Sequence, residues 1–113
     1  MKIETTLDGA VLMVELEGEV DMSSSGQVWD KISSFLEGKK PKAKAAVIVL
    51  SKVTYMDSSG IATLVRAWQT TKKSGGKLRL AAPSASVMDV FELAHVDKIF
   101  EICPTVEEAR KGL

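Results

Sequence analysis

The amino-acid sequence predicts an α/β protein built on one mixed β-sheet, with an N-terminal hairpin followed by alternating helices and strands. Two observations lead to this fold class. Asp8-Gly9 stands between two strand-like segments and is a strong signal for a two-residue hairpin. Ala45–Leu50 is apolar at every position, as expected for a central strand covered on both faces. Strand-like and helix-like segments alternate after the hairpin, which favours parallel strands joined by right-handed crossovers.

The first half of the chain predicts two strands and a helix. The strands are Ile3–Leu7 and Ala10–Glu17, and the second is fairly apolar on both faces, which suits a strand inside a sheet. Ser23, Ser24 and Ser25 are candidate N-caps for the first helix, and Gln27 follows Ser24 at the spacing of a capping box. Gly38 ends this helix. Its predicted buried stripe consists of Val28, Ile32, Phe35 and Leu36.

The second half predicts three helices and two further strands. After Ala45–Leu50 a short loop leads into a helix from about Ser58 to Ser74. Lys77–Ala81 and Ile99–Ile102 are short strands, and Ser84 and Thr105 cap the helices that follow. The order is ββαβαβαβα, in one domain spanning residues 1–113. The predicted inward positions are Ile61, Leu64, Val65 and Trp68 in the second helix and Val87, Met88, Phe91 and Ala94 in the third.

Composition excludes several classes of protein. Fifteen Lys and Arg residues balance fifteen Asp and Glu residues, so no net positive charge favours nucleic acid. No apolar run approaches the roughly 18 residues of a membrane span. The N-terminal residues 1–6 lack the apolar segment of a signal peptide. Cys103 is the single cysteine, which excludes a disulfide framework and suits a reducing, cytoplasmic location.

The residues that most often carry catalysis are sparse. His95, Cys103 and the scattered carboxylates show no metal-ligand spacing. The only histidine, His95, is far in sequence from Ser58, the serine that it would have to activate. Ser74-Gly75-Gly76-Lys77 stands between a helix and a strand, the reverse of a phosphate-binding loop. We therefore predict no metal, no cofactor and no enzymatic activity.

The most informative segment is Asp57-Ser58-Ser59-Gly60, at the predicted start of the second helix. Unpaired backbone N–H groups and the helix dipole favour negative charge there. The simplest interpretation is helix capping by Asp57 and the serines. The functional interpretation is a regulatory phosphorylation site, because a phosphoserine is well tolerated at a helix N-terminus.

This segment resembles the signature of STAS domains, and most of all that of the anti-sigma-factor antagonists, whose motif is Asp-Ser-Ser/Thr-Gly followed by an aliphatic residue. Other segments resemble the family in the same register, so that the similarity covers nearly the whole chain. They are Gly18-Glu19-Val20-Asp21, Gly75-Gly76-Lys77-Leu78, Phe91-Glu92-Leu93-Ala94 and Lys98-Ile99-Phe100. Many relatives carry glycine after Leu93-Ala94, which would fit a left-handed helix end, whereas this chain has His95. Histidine can adopt that conformation at some strain, so we expect a slightly different helix end.

The resemblance implies a STAS fold and a function in partner switching. The unphosphorylated protein would bind an anti-sigma factor that is also a serine kinase, and so release a sigma factor. Phosphorylation of Ser58, the first serine of the motif, would end binding, and a metal-dependent serine phosphatase would restore it. The alternative is a cytoplasmic STAS subunit of an ABC-type lipid transport complex. Such relatives often have Thr-Ala or Ser-Ala after the aspartate, so Ser58-Ser59 favours the switch.

The resemblance also implies where the partner binds. The predicted contact residues follow two strands that should be neighbours, and we expect a chain that is monomeric when free. For Glu19, Asp21 and the serines 23–25, turn formation or helix capping is an equally open alternative. The predicted contact residues are Glu19, Asp21, Ser23, Ser24, Asp57, Ser58, Ser59 and Gly60.

Overall fold

A computed structural model describes all residues 1–113 and confirms the predicted order of elements. Five strands form one sheet in the order β1-β2-β3-β4-β5. The β1–β2 pair is antiparallel and the three later pairs are parallel. The elements are β1 (Lys2–Asp8), β2 (Val11–Val20), α1 (Ser25–Leu36), β3 (Ala45–Met56), α2 (Ser58–Lys73), β4 (Lys77–Ala81), α3 (Ala85–Leu93), β5 (Glu101–Cys103) and α4 (Val106–Arg110).

The core lies mainly on one face of the sheet. Apolar residues of α1, α2 and α3 pack there against β2, β3 and β4, with Ile32, Leu64 and Phe91 among the fully buried side chains. On the opposite face, a smaller cluster joins Val47 to Ala109 of α4. Helices on both faces explain why every residue from Ala45 to Leu50 is apolar and buried. No helix combines the length and the apolar character that a membrane span requires.

The strand β3 is longer than the sequence predicted. It continues beyond Leu50 to Met56, because its second half pairs with the end of β2. Val53 and Met56 are each only 2% exposed, while Thr54 and Tyr55 between them face solvent. The predicted loop before α2 is therefore almost absent, and Asp57 alone separates β3 from α2. The last strand begins two residues later than predicted because Ile99 and Phe100 donate their N–H groups to the Val96 carbonyl.

One predicted inward position, Ala94, is wrong. Trp68 packs against the core as predicted but is only half-buried, since Ala67 and Thr71 occupy the innermost face of α2. Its ring lies beneath the Lys72 ammonium, 4.8 Å from the ring centroid. Ala94 is exposed because α3 ends at Leu93. His95, which follows it, keeps the left-handed backbone that a glycine would adopt, with φ of 59°.

Candidate functional site

The site forms where β2 and β3 end side by side. Glu19 pairs with Tyr55 and Val20 with Met56, so both strands finish at the same edge of the sheet. The Asp57 N–H donates to the Val20 carbonyl at 3.2 Å, which fixes the start of α2 against the end of β2. The carboxyl edge of parallel strands is where binding loops of α/β proteins gather.

Asp57 is the N-cap of α2, as its simplest interpretation predicted. Its Oδ1 atom accepts hydrogen bonds from the N–H groups of Ser59, at 2.9 Å, and Gly60, at 3.3 Å. The same oxygen accepts the Ser59 hydroxyl at 2.6 Å. These bonds hold the pKa of the Asp57 carboxyl below its usual value, with the Ser59 hydroxyl as the largest cause. Asp57 is therefore charged at neutral pH.

The two serines of the motif have different environments. Ser58 is exposed, and no hydrogen bond holds its hydroxyl to the protein. Ser59 is half-buried, and its hydroxyl is used in the bond to Asp57. Of the two hydroxyls, only that of Ser58 is free to meet another molecule.

The β2 end carries a second turn of the same design. The Asp21 Oδ1 atom accepts the N–H of Ser23 at 2.9 Å and its hydroxyl at 2.6 Å. These two bonds are the largest causes of the lowered pKa of Asp21. The structure therefore contains two Asp-x-Ser turns, Asp21-Met22-Ser23 and Asp57-Ser58-Ser59, at the ends of adjacent strands. Sequence reasoning missed this duplication, although the repeated spacing was visible.

Two of the predicted contact residues lie beneath the surface. Ser24 is 6% exposed, and its hydroxyl donates to the Glu19 carbonyl and accepts the Asp21 N–H. Its side chain caps no N–H group of α1, so the predicted capping box with Gln27 is wrong. Gly60 is buried in a space that admits no side chain. Both residues are buried under the turns and support their conformation.

The exposed part of this region is acidic and includes two large apolar side chains. Met22 is 85% exposed and Tyr55 is 50% exposed; neither was predicted, because exposure is not visible in sequence. Residues 18–25 and 53–60 hold three carboxylates and neither lysine nor arginine. We call this region the Ser58 surface; it comprises Glu19, Asp21, Met22, Ser23, Tyr55, Asp57 and Ser58.

The opposite end of the sheet, where the parallel strands β3 and β4 begin, is basic. Seven lysines fall within residues 39–44 and 72–77, beside the starts of β3 and β4, and none of them forms an ion pair. Although acidic and basic residues are equal in number, the two kinds of charge are separated along the strands, with carboxylates where β2 and β3 end and lysines where β3 and β4 begin. We call this region the lysine end; it comprises Lys39, Lys40, Lys42, Lys44, Lys72, Lys73 and Lys77.

The Asp57 cap has a testable pH dependence. Because the folded-state pKa is depressed, its stabilising contribution is complete above the ordinary value of 3.8 and is lost as the pH falls through the folded-state pKa. We expect an NMR titration of the carboxyl carbons to give Asp57 a midpoint below 3.8. Ser59→Ala should raise that midpoint and leave that of Asp21 in place. A wild-type midpoint at or above 3.8 would contradict the cap geometry.

Comparison with known proteins places the chain in a family. The family model described as "STAS domain" matches residues 2–109. The anti-sigma-B factor antagonist of Bacillus subtilis is 29% identical over 91 residues, covering 80% of each chain. Sulfate transporter 1.2 of Arabidopsis thaliana is 30% identical over 100 residues, covering 81% of this chain but 15% of the transporter.

Solved structures show the same fold. The unphosphorylated form of the anti-sigma factor antagonist SpoIIAA superposes with a TM-score of 0.81 at 22% identity, covering 96% of this chain and 92% of that one. The phosphorylated form of SpoIIAA, a Bacillus cell fate determinant, gives a TM-score of 0.73 at 22% identity, with 96% of both chains covered. The chain belongs to the STAS domain family, as its sequence predicted.

Proposed function

We propose that this protein is an anti-sigma-factor antagonist of a partner-switching pathway. Its unphosphorylated form binds an anti-sigma factor that is also a serine kinase, and this releases a sigma factor. Phosphorylation of Ser58 ends the binding. This function is supported by the Bacillus subtilis relative, an anti-sigma-B factor antagonist, and by the existence of SpoIIAA in phosphorylated and unphosphorylated forms.

The observation that carries the proposal is the state of Ser58. Its hydroxyl is exposed and free of hydrogen bonds, at the first residue of α2. A kinase can reach it without unfolding the chain, and the helix dipole tolerates the phosphate that results. Ser59 is half-buried and bonded to Asp57, which makes it the poorer acceptor.

The switch works through charge and size on a fixed scaffold. A phosphate adds about −1.5 to −2 charges at pH 7. On the Ser58 surface it joins the carboxylates of Glu19, Asp21 and Asp57 without breaking any hydrogen bond of the two turns. A partner that had closed over Ser58 would meet a bulky, strongly hydrated group, so the complex would separate.

The remaining members of the pathway follow from this function. A metal-dependent serine phosphatase removes the phosphate and resets the switch. The chain itself acts as a regulator, without catalysis or a cofactor, and is monomeric when free. The lone Cys103 agrees with a cytoplasmic site of action.

The test is to locate the phosphate. We expect incubation with the anti-sigma factor kinase and ATP, followed by mass spectrometry, to place one phosphate on Ser58 of the wild-type protein. Ser59→Ala should still accept it, and Ser58→Ala should not. Phosphate on Ser59 alone, or none on wild type with a demonstrably active kinase, would contradict the proposal. The alternative of a STAS subunit in a lipid transport complex would then be favoured.

A further inference from the structure

The duplicated turn gives Met22 a position equivalent to that of Ser58. In each turn one aspartate oxygen accepts the N–H group and the hydroxyl of the serine two residues later, at 2.9 and 2.6 Å in both. The residue between the aspartate and the serine, Met22 or Ser58, is exposed in both turns. The Asp57 N–H donates to the carbonyl of Val20, the residue before Asp21, so the two turns are neighbours.

Met22 is exposed on a backbone that is held in place. Its neighbours on both sides are tied down, Asp21 by the buried Ser24 hydroxyl and Ser23 by the Asp21 carboxylate. Single exposed apolar side chains are common on proteins. This one, however, is 85% exposed on a fixed turn, directly after Asp21 and next to the turn that carries the proposed phosphoacceptor.

We propose that Met22 is the apolar anchor of the Ser58 surface, and that the anti-sigma partner receives it in an apolar pocket ringed by basic side chains. This inference rests on the proposed function. A flexible thioether fills an irregular pocket well. The partner's basic ring is complementary to the three carboxylates, and interface anchors are characteristically surrounded by such a polar rim.

An anchor at Met22 also explains why a phosphate on Ser58 would end the binding of the partner. Inserting Met22 into a pocket brings the adjacent turn against the partner and removes water from Ser58. A neutral hydroxyl loses little in that step, whereas a phosphate would have to give up much of its hydration. Anchor and acceptor would therefore act as one unit, because the contact that requires Met22 is the one that excludes the phosphate.

The experiment measures the affinity of the unphosphorylated protein for the purified anti-sigma factor kinase by titration calorimetry. Met22→Ala should weaken binding about tenfold or more, as expected for an interface anchor. Met22→Leu keeps an apolar side chain of similar volume and should stay within about threefold of wild type. The matched control is Leu93→Ala, because Leu93 is 82% exposed at the far end of α3.

The outcomes separate the two proposals. Wild-type protein that fails to bind the anti-sigma factor would overturn the proposed function. If wild type binds and Met22→Ala binds equally well, the function stands and the anchor is overturned. A loss in Met22→Ala matched by the same loss in Leu93→Ala would also overturn it. Urea unfolding of each variant should show wild-type stability, since both side chains are exposed.

Discussion

Ser58→Asp should lose about a hundredfold in affinity for the anti-sigma factor, or about 2.8 kcal/mol. The new carboxylate lies beside Asp57 and reproduces part of the charge of the phosphate on the Ser58 surface. The same substitution should leave the fold intact, because a negative charge in the first turn of α2 is favourable by about 0.3–1 kcal/mol. Binding and stability would then change in opposite directions, which titration calorimetry and urea unfolding can measure on the same samples.

The control for added charge is Ser34→Asp. Ser34 is exposed near the last turn of α1, at the end of the helix far from the Ser58 surface. The Ser34→Asp variant should bind the anti-sigma factor with the affinity of the wild-type protein. Ser58→Ala should also bind, and should remain bound in the presence of ATP. Equal binding by Ser58→Asp and wild type would show that charge at this position does not control the partner.

Gly60→Ala should destabilise the protein by about 2 kcal/mol, the range for forcing an extra carbon into a packed site. A Cβ atom at Gly60 would lie 2.7 Å from Met56 Cγ, 2.8 Å from the Val20 carbonyl oxygen and 2.9 Å from Val20 Cγ1. The Val20 carbonyl cannot yield freely, because it accepts the Asp57 N–H that joins β2 to the start of α2. Urea titration measures the loss.

Gly26→Ala is the matched control for this glycine. Gly26 also lies in the first turn of its helix, α1, but a Cβ atom there would meet nothing within 4 Å. Its replacement should leave stability unchanged or raise it by up to about 1 kcal/mol, since alanine is the better helix former. Equal losses in both variants would mean that helix position, and not the space under the Ser58 surface, explains the effect at Gly60.

The local signals in the sequence predicted the fold well where one interaction dominates. Asp8-Gly9 marked the hairpin, and Gly9 has the left-handed φ of 61° that such a turn requires. The apolar run at Ala45–Leu50 marked the central strand. The second half of β3 was missed because register shifts against β2 break the alternation of apolar residues. Pairing with a distant strand holds that segment, and a local pattern cannot show it.

The candidate site was predicted in part for the same reason. Asp57 was recognised as a cap because its partners are two and three residues away. Ser24 also had the pattern of a cap, yet its hydroxyl bonds back to the end of β2. Met22 carried no signal, since the sequence of a turn does not tell which side chain points to solvent. The family resemblance identified Ser58 as the candidate phosphoacceptor. The geometry of the turn explains why the Ser59 hydroxyl, which is bonded to Asp57, is less accessible.

The charge separation between the Ser58 surface and the lysine end has a consequence for how two molecules meet. A chain with a formal net charge of zero feels almost no net pull from a charged partner at long range. Its separated charges nevertheless experience a torque, which turns the acidic end towards a basic partner before contact and the lysine end away from it. Such orientation increases the fraction of productive collisions. Because the torque acts across solvent, the orienting effect weakens once the Debye length falls below about 10 Å, near 0.1 M salt.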